Sequence, residues 1–458
     1  MSSAPAVKTT EWVLGPGDEF RFEVDFAHTI EIKLKRGQAE YFGAELGPEA
    51  TYSFSGENGA VFSWEGCTLA VTGESQSAYV AGETPMDSYI NVHMALQQLR
   101  VQAHAEAAAA AGQKNSDSLA ANNVAPRVMI VGPEDCGKTS LARILVNYAV
   151  RMGETPVYVD LDPMDASVTV PGTVSATPMT KPVDIEAGFM GYAMSSSSGP
   201  PDTPLVWQFG HEQPSANSAL FNLLADRVAA AIDRRLSNDR RAAGSGLIVD
   251  TRGVGDVAKC EAIEHAIAAL RITTLLVVGS ERMFSVLSGR LSGSSPSPSV
   301  SVVKLARSGG TVDRHPAFRQ LYNARAIKQY FYGTAREPFT SFSTIANFKE
   351  IRILRVGEDS VAPSSTLPLG ETRKLTDTSV LVVDPDESLV HSILAVTDAS
   401  LDAVTADCDC VVGLQALGFV NVTVVDMEKK RLVLVSPVPG RLPKQVLLYG
   451  HIQWMETI

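Results

Sequence analysis

Residues 132–140 read Gly-Pro-Glu-Asp-Cys-Gly-Lys-Thr-Ser, a GxxxxGK[ST] loop set between the apolar run Arg127-Val128-Met129-Ile130-Val131 and the amphipathic segment LARILVNYAVRM. Strand, glycine-bearing loop and helix in that order constrain the fold strongly. Such a loop wraps phosphate oxygens with backbone N–H groups at a helix N-terminus, where the helix dipole also favours anions. The candidate phosphate contacts are Glu134, Asp135, Cys136, Gly137, Lys138, Thr139 and Ser140. Lys138 is placed to neutralise β- and γ-phosphate charge and Thr139 to offer its hydroxyl to Mg²⁺. Ser140 is better placed for the α-phosphate or for capping the helix.

Around this loop, apolar runs alternate with helical segments, as in an α/β unit with a parallel sheet. Strands are expected at 156–161, 204–209, 246–250 and 274–279, and helices at 139–152, 217–236 and 257–270. The segment 291–300, LSGSSPSPSV, reads as a low-complexity loop. Ahead of this region, residues 11–84 alternate with period two: Phe20, Phe22 and Val24 stand between Glu19, Arg21 and Glu23, and Ile30, Ile32 and Leu34 between Glu31, Lys33 and Lys35. That pattern predicts antiparallel strands of a small β-sandwich. From Met86 the spacing of Tyr89, Val92, Leu96 and Leu99 turns helical and runs into the Ala-rich stretch 105–111, and residues 112–123 lose both periodicity and apolar content. The expected divisions are 1–103 for the sandwich with its connecting helix, 104–124 for a linker, 125–335 for the phosphate-loop domain with a lid, and 336–458 for a mostly β, mixed α/β domain.

At 458 residues the chain has room for two to four domains. Thirty-nine Lys and Arg against 51 Asp and Glu give a formal charge of −12, which excludes a broadly basic nucleic-acid coat and confines any RNA contact to a local patch. Five cysteines without a CxxC pair read as reduced thiols, Cys408-Asp409-Cys410 included. No apolar run approaches the roughly 18 residues of a membrane span, and the N-terminal residues lack a signal core. A metal-hydrolase HExxH and a serine-hydrolase GxSxG are both missing from the sequence.

Three further features point at the phosphate loop. Asp162 ends the run PVYVDLD, 24 residues after Lys138, where a strand-end carboxylate reaches a nucleotide. It is placed to orient Mg²⁺ or to accept a proton from an attacking hydroxyl, and Asp160 is expected to face the other way. Asp250 in Asp250-Thr251-Arg252-Gly253 has the form of a Walker B acid; no NKxD or TKxD follows, so adenine is the expected base. Ser308-Gly309-Gly310-Thr311-Val312-Asp313-Arg314 reads as a glycine-hinged lid carrying Arg314 and Arg319, which can stabilise charge on a transferring phosphoryl group. Their spacing of five is not one helical face, so spacing alone does not bring both to one site.

Together with EFRFEV at 19–24, AVFSWEGC at 60–67, LVNYAV, VDLDPMDASVTVPGT at 159–173, LVWQFGH at 205–211, SGGTVDR at 308–314 and YFYG at 330–333, these motifs cover nearly the whole chain. They resemble the polyribonucleotide 5′-hydroxyl kinase family that includes the ATP-binding subunit of the pre-mRNA cleavage and polyadenylation machinery, in its fungal form. The resemblance implies a β-sandwich, a central P-loop domain and a C-terminal α/β domain. It implies ATP and Mg²⁺ on Lys138 and Thr139, Asp162 as general base and second Mg²⁺ ligand, Arg314 and Arg319 as the lid pair, and Glu19 against adenine. A nuclear location and contact with other cleavage-factor subunits follow in the same way.

Two departures bear on activity. Val254 stands where kinase-active members carry a tryptophan that stacks on the RNA base, and the stretch DLDPMD lacks their glycine-glutamine step. Loss of the stack removes about 1–3 kcal/mol per base. The sequence therefore supports a scaffold subunit that holds ATP as a structural ligand, with weak or partner-dependent RNA contact; the alternative is an active 5′-hydroxyl kinase.

Overall fold

The computed structural model describes residues 8–111, 125–165, 167–194, 203–254, 261–292, 300–334, 336–357, 378–406, 411–442 and 445–456. The segment 112–123, Cys260, most of the 291–300 loop and the Cys408-Asp409-Cys410 triplet lie outside the described residues. Cys67 and Cys136 are buried free thiols. No described helix is long and apolar enough to cross a membrane.

The N-terminal region folds into two antiparallel sheets. One orders Thr9–Leu14, Cys67–Gly73, Ile30–Gly37 and Thr51–Phe54; the other orders Ala44–Glu45, Glu40–Tyr41, Glu57–Phe62, Glu19–Val24 and Ser77–Ala81. Alternation does what it predicts in the first sheet, where Ile30, Ile32 and Leu34 are buried while Glu31 and Lys35 are exposed. In the strand Glu19–Val24 both faces are covered: Phe20, Phe22 and Val24 enter the sandwich core, yet Glu19 and Arg21 are also buried, each 7% exposed. The second face is covered because this sheet lies against the phosphate-loop region.

Met86–Ala111 forms a long helix. Its Met86, Tyr89 and Leu96 pack into the same core as Leu141, Leu145 and Val128, and Arg100, fully buried, donates from Nε to the Ser245 carbonyl at 3.0 Å. The expected strands appear at Arg127–Val131, Val157–Leu161, Leu205–Gln208, Leu247–Thr251 and Thr274–Val278, and helices at Lys138–Arg151, Ser218–Asn238 and Glu261–Ala269. Parallel pairing orders Ser301–Leu305, Thr274–Val278, Arg127–Val131, Leu247–Thr251 and Val157–Leu161.

The sheet is mixed rather than wholly parallel. A strand absent from the sequence reading, Thr173–Pro178, lies antiparallel between Val157–Leu161 and Leu205–Gln208. The connection from Leu161 to Thr173 carries no helix among its described residues. A parallel return needs a crossover of a dozen residues or more, usually helical.

Beyond it the same sheet continues into the C-terminal region. Val206 and Trp207 pair with Ala416 and Gln415, so the strand Gln415–Asp426 joins directly, followed by Ser392–Thr397, Val446–Gln453, Arg352–Val356 and Val380–Val383. Gln415–Asp426 turns back through residues 427–430 to pair antiparallel with Arg431–Ser436, with Asp426 opposite Arg431. Leu205–Gln208 thus joins the central and C-terminal parts of one 14-stranded sheet, and Trp207, 2% exposed, locks it into the central core.

Candidate functional site

The strand Arg127–Val131 is buried at every residue between two helical layers, and the chain leaves it at Gly132 into the phosphate loop. Two positions there have left-handed backbone, Asp135 at φ 52 and Gly137 at φ 90, which lets successive N–H groups curl toward one centre. Gly132 is required by packing: a Cβ there would lie 2.7 Å from both Cys136 Sγ and the Val278 carbonyl. Cys136 is a buried brace of the loop, 1% exposed, whose thiol burial pushes up in pKa. Lys138 opens the following helix, is 7% exposed, and donates from Nζ to the Pro133 carbonyl at 2.7 Å.

Thr139 donates to Asp250 Oδ2 at 2.6 Å, joining the loop to the end of the strand Leu247–Thr251. The turn after that strand is pressed onto the loop. Val254 N donates to the Gly132 carbonyl at 3.1 Å, and a Cβ on Gly253 would meet the backbone of Glu134 at 2.6 Å. Gly253→Ala is therefore expected to push the two segments apart and to weaken nucleotide binding at least about ten-fold, since displacement of about an ångström disrupts such a cradle. Equilibrium dialysis against labelled ATP checks this. Val254 itself packs its half-buried side chain against the central core.

Asp162 sits just past the strand Val157–Leu161, 7% exposed, with Oδ1 accepting from Met164 N at 3.0 Å and 3.8 Å from Arg252 Nη1. Burial, together with the negative charge of Asp165 and Asp250, raises its pKa to about 7 against the pull of Arg252 and Lys138. Burial likewise raises Asp250 to about 6, opposed by Lys138 and by the Thr139 hydrogen bond.

Asp160 does not face away from this group. It is the direct register partner of Asp250, and its carboxylate accepts from Asp162 N at 2.9 Å and from the Ser167 hydroxyl. Strand periodicity gives the reason: Val157, Val159 and Leu161 fill one core layer, so Tyr158, Asp160 and Asp162 share the opposite side. Burial and the neighbouring Asp250 hold Asp160 well above the ordinary carboxylate range.

Arg314 and Arg319 reach the loop together. Asp135 Oδ1 accepts from Arg314 Nε at 2.8 Å, and its Oδ2 accepts from Arg319 Nη2 at 2.7 Å. Helical spacing does not apply to this pair, because Arg314 precedes the helix Pro316–Tyr332 while Arg319 lies in its first turn. Arg314 also pairs with Asp165.

Glu19 lines the same cleft from the N-terminal sandwich, held by Arg21 Nη2 at 2.8 Å, and Arg21 also donates to the Glu83 carbonyl at 2.8 Å. Ser140 lines the cleft as well. The sandwich is fixed in place by the helix that follows the loop: Asn147 Nδ2 donates to the Phe42 carbonyl at 2.8 Å, Arg151 pairs with Glu40 at 2.9 Å, and Arg143 lies over the Tyr41 and Phe42 rings.

Sequence reasoning assigned no role to two residues that the geometry makes central. Asp165 meets both lid arginines, and Arg252 bridges Glu134 Oε1 at 2.8 Å and Asp162. The available signal was the third acid of DLDPMD, three residues after Asp162, and the arginine inside the Walker B turn. The cleft thus combines a phosphate cradle, a lysine, a buried acid group and two lid arginines between two domains, an arrangement suited to a nucleoside triphosphate.

Comparison with known proteins agrees along the whole chain. Residues 13–103 match the N-terminal beta-sandwich domain of polyadenylation factor, residues 132–333 the mRNA cleavage and polyadenylation factor CLP1 P-loop, and residues 339–456 the pre-mRNA cleavage complex II protein Clp1. The chain is 36% identical to the mRNA cleavage and polyadenylation factor clp1 of Botryotinia fuckeliana over 467 aligned residues, covering 100% of this chain and 96% of that one. It is 35% identical to the polyribonucleotide 5′-hydroxyl-kinase Clp1 of Danio rerio, covering 98% and 94%. It shares the fold of Clp1p as solved in the Clp1p–Pcf11p complex, with a TM-score of 0.82 and 22% identity over 98% of this chain and 99% of that one. The chain belongs to the Clp1 family of mRNA cleavage and polyadenylation factors.

Proposed function

We propose that the chain is an ATP-holding scaffold subunit of the nuclear machinery that cleaves and polyadenylates pre-mRNA 3′ ends. The observation that carries this reading is that the cleft is walled by separate parts of the chain: Glu19 from the sandwich, Lys138 and Thr139 from the loop, and Arg314 and Arg319 from the lid. A ligand spanning those walls binds only the assembled state and stabilises it by mass action. A Pcf11-type subunit is the expected partner, as in the complex of the similar Clp1p. Co-purification of a Pcf11-type fragment with the chain, with and without ATP, tests this. Recovery that is the same whether or not nucleotide is bound counts against a structural role for ATP.

The acid group fits a divalent cation that completes its shell elsewhere. Besides burial, the charges of Asp165 and Asp250 raise the proton affinity of Asp162, that of Asp165 raises Asp250, and those of Asp250 and Asp162 raise Asp160. Among the described residues no three ligands are arranged to hold a metal alone. That suits Mg²⁺, which keeps waters and takes phosphate oxygens alongside one or two protein ligands. Thr139 and Asp162 are the expected contributors, with Asp250 orienting the Thr139 hydroxyl at 2.6 Å.

A second reading, transfer of the γ-phosphoryl to an RNA 5′-hydroxyl, is favoured by one observation: Asp162, raised to about 7, is poised as a general base near neutral pH. Against efficient turnover stands Val254, whose side chain packs toward the core and presents no ring to a base. Val254 is only half-buried, so the larger ring of Val254→Trp extends past that contact and is expected to tighten binding of a 5′-hydroxyl RNA by about 5- to 150-fold, the worth of one stacking contact. Fluorescence anisotropy measures it. With a net charge of −12, the chain alone is expected to bind RNA modestly and with steep salt dependence.

A further inference from the structure

An acid inside a phosphate-binding loop repels the ligand that the loop's amides attract, so its presence asks for another role. Asp135 is such an acid, with a side chain only 6% exposed and left-handed backbone at φ 52. Among the described residues every bond to its carboxylate comes from the lid: Oδ1 accepts from Arg314 Nε at 2.8 Å, and Oδ2 accepts from Arg314 N at 2.8 Å and Arg319 Nη2 at 2.7 Å. Burial alone raises its pKa, but these bonds and charges outweigh burial and hold it below the usual carboxylate value.

The bond from Arg314 N is the informative one. A guanidinium that served only the phosphate would leave the backbone free, whereas this contact fixes the position of the chain itself. Arg319 Nε donates to the Arg314 carbonyl at 3.2 Å, which ties the two arginines into one unit. Asp165 accepts from Arg314 Nη2 on the far side, and Glu134 lies 3.2 Å from Arg319 Nη2. These bonds occupy Nε and Nη2 of both guanidinium groups. Nη1 of Arg314 meets no carboxylate among the described residues, whereas Nη1 of Arg319 donates to Met164 Sδ at 4.0 Å and lies 3.9 Å from Asp165.

We infer that Asp135, supported by Asp165, is the positioning residue of the lid: it docks Arg314 and Arg319 on the phosphate loop and sets how fast that lid opens. Resting on the ATP reading, the same clasp slows nucleotide release and keeps Nη1 of Arg314 for phosphate. The segment it controls runs from the Gly309-Gly310 pair, where Gly310 packs on Arg21 of the sandwich, to Arg319.

The test is hydrogen–deuterium exchange of the full chain, stripped of nucleotide, read on peptides covering 308–319, beside stopped-flow release of a fluorescent ATP analogue. Asp135→Asn is expected to raise exchange in 308–319 by about 10- to 100-fold, the loss expected of one or two charge-assisted hydrogen bonds. Exchange in the sandwich strands is expected to stay at the wild-type rate, and Asp135→Glu, which keeps the charge, to restore most of the protection. Release of the analogue is expected to accelerate by a similar factor, since retention depends on the lid. Arg314→Gln, which cuts the clasp from the other side, is expected to reproduce the local effect. Protection of 308–319 at the wild-type level in both Asp135→Asn and Arg314→Gln overturns the inference. Failure of the wild-type chain to bind the analogue instead sinks the ATP reading and leaves the exchange comparison intact.

Discussion

Lys138→Ala is expected to lose at least about 100-fold in ATP affinity, because on the proposed reading the change deletes the cation for the β- and γ-phosphates, and no other lysine among the described residues lines the cleft. At ATP concentrations near a thousand times the wild-type dissociation constant, bound nucleotide contributes about 4 kcal/mol to the folded state. For domains of this size that corresponds to roughly 8–16 °C in melting temperature. Differential scanning fluorimetry with and without ATP and Mg²⁺ should show this shift in the wild-type chain and almost none in Lys138→Ala. The nucleotide-free melting points should coincide within a few degrees, since Lys138 makes one bond to its own loop, to the Pro133 carbonyl. Equal shifts in the two chains would remove Lys138 from the nucleotide site.

Asp162→Asn separates the two functional readings. If the chain transfers phosphate, loss of the base is expected to lower the rate by about 10²- to 10⁴-fold. The pH profile fixes the sign. A base with a pKa of about 7 is protonated and idle below that value and active above it, so wild-type transfer should rise through pH 7 and level off beyond it. In Asp162→Asn that rise should vanish. ATP binding behaves differently: the substitution removes one of the two expected Mg²⁺ contacts, so affinity in Mg²⁺ should fall, while affinity for Mg²⁺-free ATP, relieved of one negative charge beside Asp165 and Asp250, should hold or improve. A scaffold without chemistry shows no transfer at any pH, with Mg²⁺-free ATP still bound by both chains.

The parts of this account that were legible in the sequence are those in which the chemistry demands contiguous residues. The strand–loop–helix around Gly132–Ser140 is one, since amides, lysine and hydroxyl must come from one turn of chain. Alternation through Ile30, Ile32 and Leu34 is another, since one face of that strand meets solvent. The rest depended on contacts between distant segments. Thr173–Pro178 escaped notice because TVSATP is small and half polar, yet every residue of it is buried between two strands. Alternation alone does not tell that Glu19 and Arg21 are buried, because what covers them is the contact of the sandwich with the phosphate-loop region. Arg314 and Arg319 converge because the helix begins between them, at Pro316, a boundary that residue spacing does not encode. Asp160 was legible in principle, since two residues along a strand return to the same side.

The central claim is that nucleotide serves this subunit as a structural ligand held between its domains. The most direct measurement incubates the purified chain with γ-labelled ATP, Mg²⁺ and a 5′-hydroxyl RNA, follows the label, and identifies retained nucleotide by mass spectrometry. The account predicts intact ATP bound to the wild-type chain, absent from Lys138→Ala, and no label on RNA. Label on RNA that disappears in both Lys138→Ala and Asp162→Ala would contradict it and establish the kinase.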